Sequence, residues 1–491
     1  MIQLLYEYHD GGNMVVDFLG DISLAHANLS LSEQKSTAIS INKQLGECDF
    51  RIANLESPML ISHAHIESLK EEEGEGAHLC MYSDAHSTFF DTLDVNAYTL
   101  ANNHIFDYGE SGLKDTIEWM VQRGKKYAGA STSENDAYEP LIVEDNDAKL
   151  AVYSICENEF GIAVGNKAGA AGVNYKIIFD SILAWGERVD GIIIVFHGGN
   201  EYYPFPSPRQ KELYHRLVDI GADMIIGMHS HCPVGKEIYK GKELYYGLGN
   251  FFFPKKSFSL YPNDNYGYVV RVHLENKRFI ASEIFPYNCD DAGRKWGLLP
   301  KTDLFFEYFQ EISDAINDDN RLNELFRGWA MYYGETLYRR LSECFQSEND
   351  IYSQNIIKNF FSCESHNELL TEYLNTKYYF SNNRFDSIQD YIKSMIGVNT
   401  KCEKDCDEVV WGCTEKSHSF VNKEIEKGKK VRVVDSNVYI QGLYFYKLKV
   451  CPPLELPDVD IYIGTSRKSY LEIQKKLVGM SISAERIKWI E

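Results

Sequence analysis

The residues of this sequence best suited to chemistry begin with His229 and His231, which follow the apolar run 222–226. That run predicts a buried parallel strand, and alternation along an extended segment would set both imidazoles on one side. Imidazole is a common ligand of divalent metals, so the pair could hold one ion or one each of two adjacent ions. The alternative is a pair of loop histidines that bind nothing.

Four further apolar runs each end in a residue suited to holding a metal ion. These are residues 14–20 before Asp21, 50–55 before Glu56, 95–101 before Asn103 and His104, and 191–196 before His197. The carboxyl ends of parallel strands meet at one edge of an α/β sheet, where sites collect. One such residue alone is ordinarily structural. Five successive strand ends bearing only Asp, Glu, Asn and His predict a metal site.

Helical patterns separate these strands and indicate the fold class. Residues 32–45, 111–123 and 207–220 have helical spacing, and 268–272 with 279–284 predict an antiparallel pair that closes a sheet. Strands that alternate with helices in this way are typical of a layered α/β domain.

The order of these motifs resembles the calcineurin-like metallophosphoesterase superfamily, and within it the CapA family of capsule and poly-γ-glutamate biosynthesis proteins. The resemblance covers roughly residues 15–285. Its blocks are Gly20-Asp21, Asn54-Leu55-Glu56-Ser57-Pro58, residues 101–109, residues 197–202, Gly221-Ala222-Asp223, His229-Ser230-His231 and residues 248–251. It implies a four-layer α-β-β-α domain that holds one or two divalent metal ions.

The resemblance also implies a role for each position. The first metal would be held by Asp21 and His231, the bridge would be Glu56, and the second metal would be held by Asn103, His197 and His229. His104 would face the substrate as a proton donor or oxyanion stabiliser, with Asp107 or another acid fixing its tautomer. Glu201 would lie in or beside the metal shell and serve catalysis.

The first motif departs from the superfamily pattern. Phosphoesterases have Asp-x-His there, whereas this chain has Ser23 at the third position. His26 could substitute, although it also fits an ordinary helix start. One ligand of the first metal is therefore missing, which puts hydrolysis by a two-metal route in question.

Composition limits the partners. The net charge of -22 argues against nucleic-acid binding and against docking on an anionic membrane. Eleven irregularly spaced cysteines suggest reduced thiols. The first residues lack a signal-peptide pattern, and no run reaches the roughly twenty apolar residues of a membrane span. These features predict a cytoplasmic protein without an integral membrane segment.

The sequence predicts three domains. Residues 1–290 form the CapA-like domain, 291–400 a helical module, and 401–491 a small Rossmann-like α/β domain. The helical module carries an aromatic stripe typical of a core, and its Cys363-Glu364-Ser365-His366 segment is either a packed helix or a catalytic or metal cluster. In the last domain Asp435 stands where a ribose-binding acid would stand. The phosphate turn has only Gly412 and carries Glu415, which favours a degenerate scaffold.

Three functions are compatible with this pattern. The first is a metal-dependent hydrolase of phosphoesterase type, acting on an intermediate of capsule, exopolysaccharide or poly-γ-glutamate-like polymer synthesis. The second is a non-hydrolytic metal-binding component that serves partner enzymes of the same pathway. The third is a binding module without turnover. The substrate would be a small molecule or polymer intermediate, and manganese, zinc, iron and magnesium all remain open.

Overall fold

A computed structural model describes most of the chain. The described residues are 13–61, 63, 78–145, 148–255, 264–347, 351–382, 405–413, 415–434, 444–445, 448–449, 451, 456–465, 467–479 and 482–490. They fall into two compact units. The first unit runs to Lys256 and includes Asn265–Leu322 and Arg339–Glu368, and the second contains Asn323–Tyr338 and Leu369–Glu491. The predicted three-domain division stays a prediction.

The first unit contains eighteen strands among its described residues. In chain order they are β1 (Asn13–Ile22), β2 (Phe50–Leu55), β3 (Met59–Leu60), β4 (Met81–Tyr82), β5 (Ala97–Thr99), β6 (Lys126–Ala128), β7 (Ala130–Ser131), β8 (Leu141–Glu144), β9 (Lys149–Cys156), β10 (Gly169–Ala170), β11 (Gly191–His197), β12 (Met224–Met228), β13 (Val234–Tyr239), β14 (Lys242–Gly247), β15 (Asn250–Phe252), β16 (Tyr266–Glu275), β17 (Arg278–Cys289) and β18 (Trp296–Leu298).

Two large mixed sheets carry the α/β architecture. The eight-stranded sheet has the order β18-β17-β16-β1-β2-β5-β6, with β15 paired to β1. Strands β15, β1, β2, β5 and β6 pair in parallel, whereas β16 and β17 pair antiparallel as predicted. The six-stranded sheet has the order β13-β14-β12-β11-β9-β8 and a parallel centre. The α/β class is therefore confirmed, and the four-layer arrangement stays a prediction.

Burial explains why the central strands are apolar on both faces. All seven residues of β11 and all five of β12 are buried. A strand covered on both faces reads as a continuous apolar run, which is the pattern of a parallel strand at the centre of a sheet.

Helix ends follow the capping rules closely. The helix Leu31–Leu45 is capped by Ser30, whose hydroxyl accepts from the Glu33 amide while the Glu33 carboxylate binds the Ser30 amide. The predicted opening at Ser32 was therefore wrong by two residues, because the reciprocal capping box satisfies more amides. Ser207 caps Pro208–Asp219, which begins with proline at its first turn. Among the described residues up to 316, the other helices are Ser83–Thr92, Gly109–Gln122, Glu134–Ala137, Tyr175–Gly186 and Phe305–Ile316.

Three further helices follow before residue 383 in the described part of the chain: Asp319–Gln346, Ile351–Ser362 and Glu364–Asn382. The aromatic stripe that precedes them is core, as the sequence predicted. Phe305, Phe309, Ile312 and Ile316 are all buried. The ring of Phe309 lies edge-on to Tyr268 of β16, with centroids 5.0 Å apart.

The second unit contains a small parallel sheet with the order β20-β19-β23-β24. Its strands are β19 (Glu408–Trp411), β20 (Val431–Val434), β23 (Asp460–Ile463) and β24 (Ile487–Trp489), and β21 (Tyr444–Phe445) pairs with β22 (Leu448–Lys449). Helices Glu415–Glu426 and Arg467–Gly479 and the 3-10 turn Ala484–Arg486 complete the described part. Asp435 lies outside the described residues, so its predicted nucleotide role stays a prediction, as does the Rossmann-like comparison. Within the described ranges, every helix is too short or too polar to span a bilayer.

Candidate metal centre

The strand ends of the two large sheets bring the predicted residues together. Asp21 lies near the end of β1 and Glu56 directly after β2, two neighbouring parallel strands. His197 ends β11, and His229 follows β12, its parallel neighbour in the other sheet. Asn103 follows β5, and its Oδ1 lies 3.1 Å from Nε2 of His197.

Three groups of side chains are spaced to hold a metal ion. They are Glu56 with His197 and His229, Asp21 with Glu56 and His231, and Glu201 with His229 and His231. Within each group the ligand atoms lie within 4.8 Å of one another. Glu56, His229 and His231 each belong to two groups, so the groups form one connected cluster. These carboxylate and imidazole donors suit a divalent metal ion.

Glu56 is the strongest sign that this cluster accommodates a cation. Its side chain is fully buried, and Oε1 lies 3.4 Å from Nε2 of His197 and 3.7 Å from Nε2 of His231. Neither carboxylate oxygen has a hydrogen-bond partner among the described residues. A buried carboxylate without hydrogen bonds is costly unless a cation compensates it. The residues present therefore fit a metal ion.

Burial and the charges of neighbouring residues shift the pKa values of the side chains in the cluster. Burial raises the pKa of Asp21 to about 6, and the charge of Glu56 adds to that shift. Burial would also raise the pKa of Glu56, but His231 and His197 outweigh it and hold that pKa well below its usual range. Burial alone would lower the pKa of His231, yet Glu56, Glu201 and Asp21 raise it to about 9.

The pKa of His229 is shifted in the opposite direction from that of His231. Burial lowers the pKa of His229 well below the ordinary value, and the charges of His197 and His231 add to that shift. His229 is therefore neutral at pH 7, which is the protonation state that binds a metal ion.

The backbone at the two histidines differs from the predicted extended segment. Strand β12 ends at Met228, and His229 and His231 have φ of 82° and 53°. Alternation along a strand is therefore not what aims the two rings. A turn through the left-handed region aims them, and that backbone is unfavourable for any residue with a Cβ. Unfavourable backbone of this kind is found where the surrounding structure fixes a site.

Two asparagines orient the cluster, and the sequence patterns did not assign them a role. Asn54 Nδ2 donates to Oδ1 of Asp21 at 2.7 Å and lies 3.1 Å from Nδ1 of His197. Asn250 Oδ1 lies 2.8 Å from Nδ1 of His231. An amide oxygen can only accept, so His231 carries its proton on Nδ1 and leaves Nε2 able to bind a metal. Both asparagines lie in motifs on which the family resemblance rests, and membership of those motifs was the sequence signal that could have identified them.

His104 and Asp107 form a hydrogen-bonded pair beside the cluster. His104 Nδ1 lies 2.8 Å from Oδ2 of Asp107, and the Leu79 amide donates to the same oxygen at 2.7 Å. Asp107 is fully buried and His104 nearly so. The carboxylate accepts the Nδ1 proton, so Nε2 of His104 is left to interact elsewhere. His104 belongs to none of the three ligand groups found in the described part of the chain.

Ser23 does not replace the missing histidine ligand. Its Oγ lies 2.6 Å from Oγ of Ser57, inside the protein. His26, the possible substitute, is in none of the three groups that the described residues form. Glu201 is exposed, yet it groups with His229 and His231 and offers the additional carboxylate. The sequence predicted that Glu201 lies in or beside the metal shell and serves catalysis, and that role stays a prediction.

Together, the mixed sheets and the cluster at their strand ends define an α/β protein with a candidate metal-binding centre. Residues 15–255 match the family described as "Bacterial capsule synthesis protein PGA_cap". The predicted resemblance to CapA proteins is thereby confirmed, and the metallophosphoesterase superfamily is consistent with it.

Named relatives agree with this family. The chain is 24% identical to "Capsule biosynthesis protein CapA" of Bacillus anthracis over 298 residues, which are 59% of this chain and 71% of the relative. It is 26% identical to "PGA biosynthesis protein CapA" of Bacillus subtilis over 282 residues, which are 56% and 71%. The "Probable polyglutamine synthesis accessory protein" of Mycobacterium tuberculosis is 30% identical over 171 residues, 32% of this chain and 45% of that protein.

Proposed function

We propose that this protein is a metal-dependent hydrolase of phosphoesterase type that acts on an intermediate of capsule, exopolysaccharide or poly-γ-glutamate-like polymer synthesis. The observation that carries the proposal is the buried Glu56 carboxylate, which faces imidazoles beside the His104–Asp107 pair and finds no hydrogen-bond partner in the described part of the chain. The capsule and polymer pathway comes from the names of the relatives.

The cluster offers two metal positions that share residues. Asp21, Glu56 and His231 would hold one ion, and Glu56, His197 and His229 the other, with Asn103 beside His197. Glu201 would supply a carboxylate ligand near the ion held by Asp21, Glu56 and His231. Ser23 would not supply a ligand there, because its hydroxyl is engaged with Ser57. When bound, the metal would supply Lewis-acid polarisation of the reacting oxygen.

The remaining steps belong to the side chains. Water attacks phosphorus as the ester P–O bond breaks, and His104, as an imidazolium, donates its Nε2 proton to the leaving oxygen and becomes neutral. Asp107 holds the ring through Nδ1 and stabilises its positive charge before the transfer. Asn54 and Asn250 hold the rings of His197 and His231 so that the ligands are oriented before substrate arrives.

Removal of the metal tests the proposal. We expect protein loaded with Mn²⁺ to hydrolyse p-nitrophenyl phosphate or its diester, to lose that activity after dialysis against EDTA, and to regain it with Mn²⁺. Metal content would be measured by elemental analysis on the same samples. Protein that binds no metal would contradict the proposal at its base.

A second candidate is a non-hydrolytic metal-binding component that serves partner enzymes. Ser23 favours it, because the hydroxyl is engaged with Ser57 and one histidine of the superfamily pattern is missing. Near-stoichiometric metal together with no hydrolysis of phosphate esters or of γ-glutamyl-p-nitroanilide would favour this candidate over the first.

Metal affinity is expected to rise with pH in two stages. The raised pKa of Asp21, about 6, means that this acid must lose a proton to bind metal below that pH. The raised pKa of His231, about 9, means that its proton must be displaced at every pH below that value. A Mn²⁺ titration should therefore show a steep rise below about pH 6, a shallower rise to about pH 9, and a plateau. An affinity independent of pH would contradict this protonation scheme.

A further inference from the structure

Glu157 lies beside the metal cluster but belongs to none of its ligand groups. Strand β9 pairs with β11 so that Cys156 faces His197, and the Glu157 amide donates to the His197 carbonyl at 2.9 Å. Glu157 therefore follows the end of β9, directly beside the end of β11 where His197 lies. Its side chain is only 6% exposed, so its carboxylate needs partners within the protein.

The partners of Glu157 include the loop that leads from His197 to Glu201. Its Oε2 accepts from the Gly199 amide at 2.8 Å. Gly199 has a φ of 106°, and a Cβ there would lie 2.6 Å from the Gln210 side chain. Gln210 Nε2 in turn donates to the Gly198 carbonyl at 3.2 Å. The course of this loop is thus set by contacts with Glu157 and Gln210.

Arg209 joins Glu157 to the first turn of the helix Glu364–Asn382, far along the chain. Its Nη2 pairs with Oε1 of Glu157, Nη1 lies 3.0 Å from Glu364, and Nε lies 3.1 Å from Glu368. Ser365 donates to Oε2 of Glu157 at 2.7 Å. The contacted residues 364–368 lie outside the family-matched segment 15–255.

Stability alone is a weak explanation for this network. Charges removed from water lose hydration that their pairing only partly restores, so a buried ion pair adds little to stability. Arginine nevertheless offers a rigid fork that fixes several carboxylates at once. We therefore expect the network to fix the positions of Glu157, Glu364 and Glu368 more than to stabilise the fold.

The same turn carries His366 next to Ser365. The His366 ring lies 5.2 Å from that of Phe360, and its Nδ1 is buried with no hydrogen-bond partner among the described residues. Burial lowers the pKa of His366, and the carboxylates of Glu159 and Glu201 oppose that shift. Glu201 is thus close enough to act electrostatically on both His231 and His366.

We propose that Arg209 is a positioning residue for the candidate metal centre. We also propose that residues 363–368, at the start of the helix Glu364–Asn382, help to hold that centre in place. Through Glu157 and Gly199, Arg209 fixes the loop that leads from His197, at the end of β11, to Glu201. The inference rests on the proposed metal site, but it does not need hydrolysis to be tested. It means that the family-matched segment 15–255 needs residues 364–368, which lie outside it, to hold metal tightly.

Mn²⁺ titration of the full-length protein, followed by EPR of the free ion, tests the inference without any substrate. We expect Arg209→Gln to weaken Mn²⁺ binding by about 10- to 100-fold, the usual cost of losing a residue that orients metal ligands. Arg209→Lys keeps the charge and should recover part of the affinity. Arg216→Gln is the matched control, because Arg216 lies on the same helix and forms an exposed pair with Glu212.

Ser365→Ala and Glu364→Gln are gentler variants that keep the inference testable if Arg209→Gln does not fold. Each removes one partner of the network and should weaken Mn²⁺ binding several-fold at temperatures well below the melting transition. A purely structural role would lower the melting temperature of these variants and leave their Mn²⁺ affinity unchanged, and that result would overturn the inference. Wild-type protein that binds no Mn²⁺ would overturn the proposed metal site as well.

Discussion

Replacing His104 with alanine is expected to lower turnover by about 10²–10⁴-fold, the usual weight of general acid–base catalysis. Metal content should not change, because His104 is in none of the ligand groups of the described chain. The physical reason is the hydrogen bond to Asp107, which fixes the proton on Nδ1 and directs Nε2 away from the carboxylate. Turnover, metal content and melting temperature would be measured on the same preparation.

Asp107→Asn separates the orientation of the His104 ring from the stabilisation of its positive charge. Asparagine keeps an oxygen that accepts from the Leu79 amide and from His104, but it lacks the charge that stabilises an imidazolium. An intermediate loss of turnover is therefore expected. His86→Ala is the control, since His86 is half-buried, its Nδ1 contacts the backbone of Tyr82 just before its helix, and it is in none of the three ligand groups of the described residues. His104→Ala protein with wild-type turnover per folded molecule would remove His104 from the mechanism.

The strand ends were the most predictable part of this molecule. Residues 191–196 read as a central strand because they are continuously apolar, and all of β11 is buried. Asp21 and Glu56 could be placed at one edge because parallel neighbours end together. The helical spacing of residues 207–220 likewise placed the helix Pro208–Asp219 to within a residue at each end.

Features that depend on distant pairing were not predictable. Strand β15 pairs in parallel with β1 and sets Asn250 opposite Asp21, although more than two hundred residues separate them. Strands of two or three residues, such as β3 and β10, are too short to show a period. The turn that aims His229 and His231 was also missed, because nothing in a His-x-His pattern indicates positive φ outside glycine.

The Arg209 network shows the same limit within the site. Glu157, Glu364 and Glu368 look individually like solvated acids, and only the fold brings them to one guanidinium. The sequence left Cys363-Glu364-Ser365-His366 as either a packed helix or a functional cluster. In the structure Cys363 directly precedes the helix Glu364–Asn382, and the other three residues begin that helix. Ser365 also donates to Glu157, so the two alternatives are not exclusive.

The largest loss of metal binding is expected from His229. This residue belongs to two of the three ligand groups, with Glu56 and His197 and with Glu201 and His231. Its lowered pKa keeps it neutral, so it is ready to bind metal without releasing a proton. We therefore expect His229→Ala to weaken Mn²⁺ binding by more than the roughly 10- to 100-fold that orienting residues contribute. Elemental analysis and Mn²⁺ titration would measure the change.

His229→Gly distinguishes loss of a ligand from loss of the fold. At a φ of 82° a Cβ is unfavourable, so the glycine variant should be more stable than His229→Ala by about 1 kcal/mol, measured by denaturant unfolding without metal. Both variants lack the imidazole and should bind Mn²⁺ equally poorly. His215→Ala is the control, because His215 stacks on Tyr239 away from the three groups and should keep wild-type affinity. Mn²⁺ affinity that follows stability rather than the imidazole would show that His229 is not a ligand.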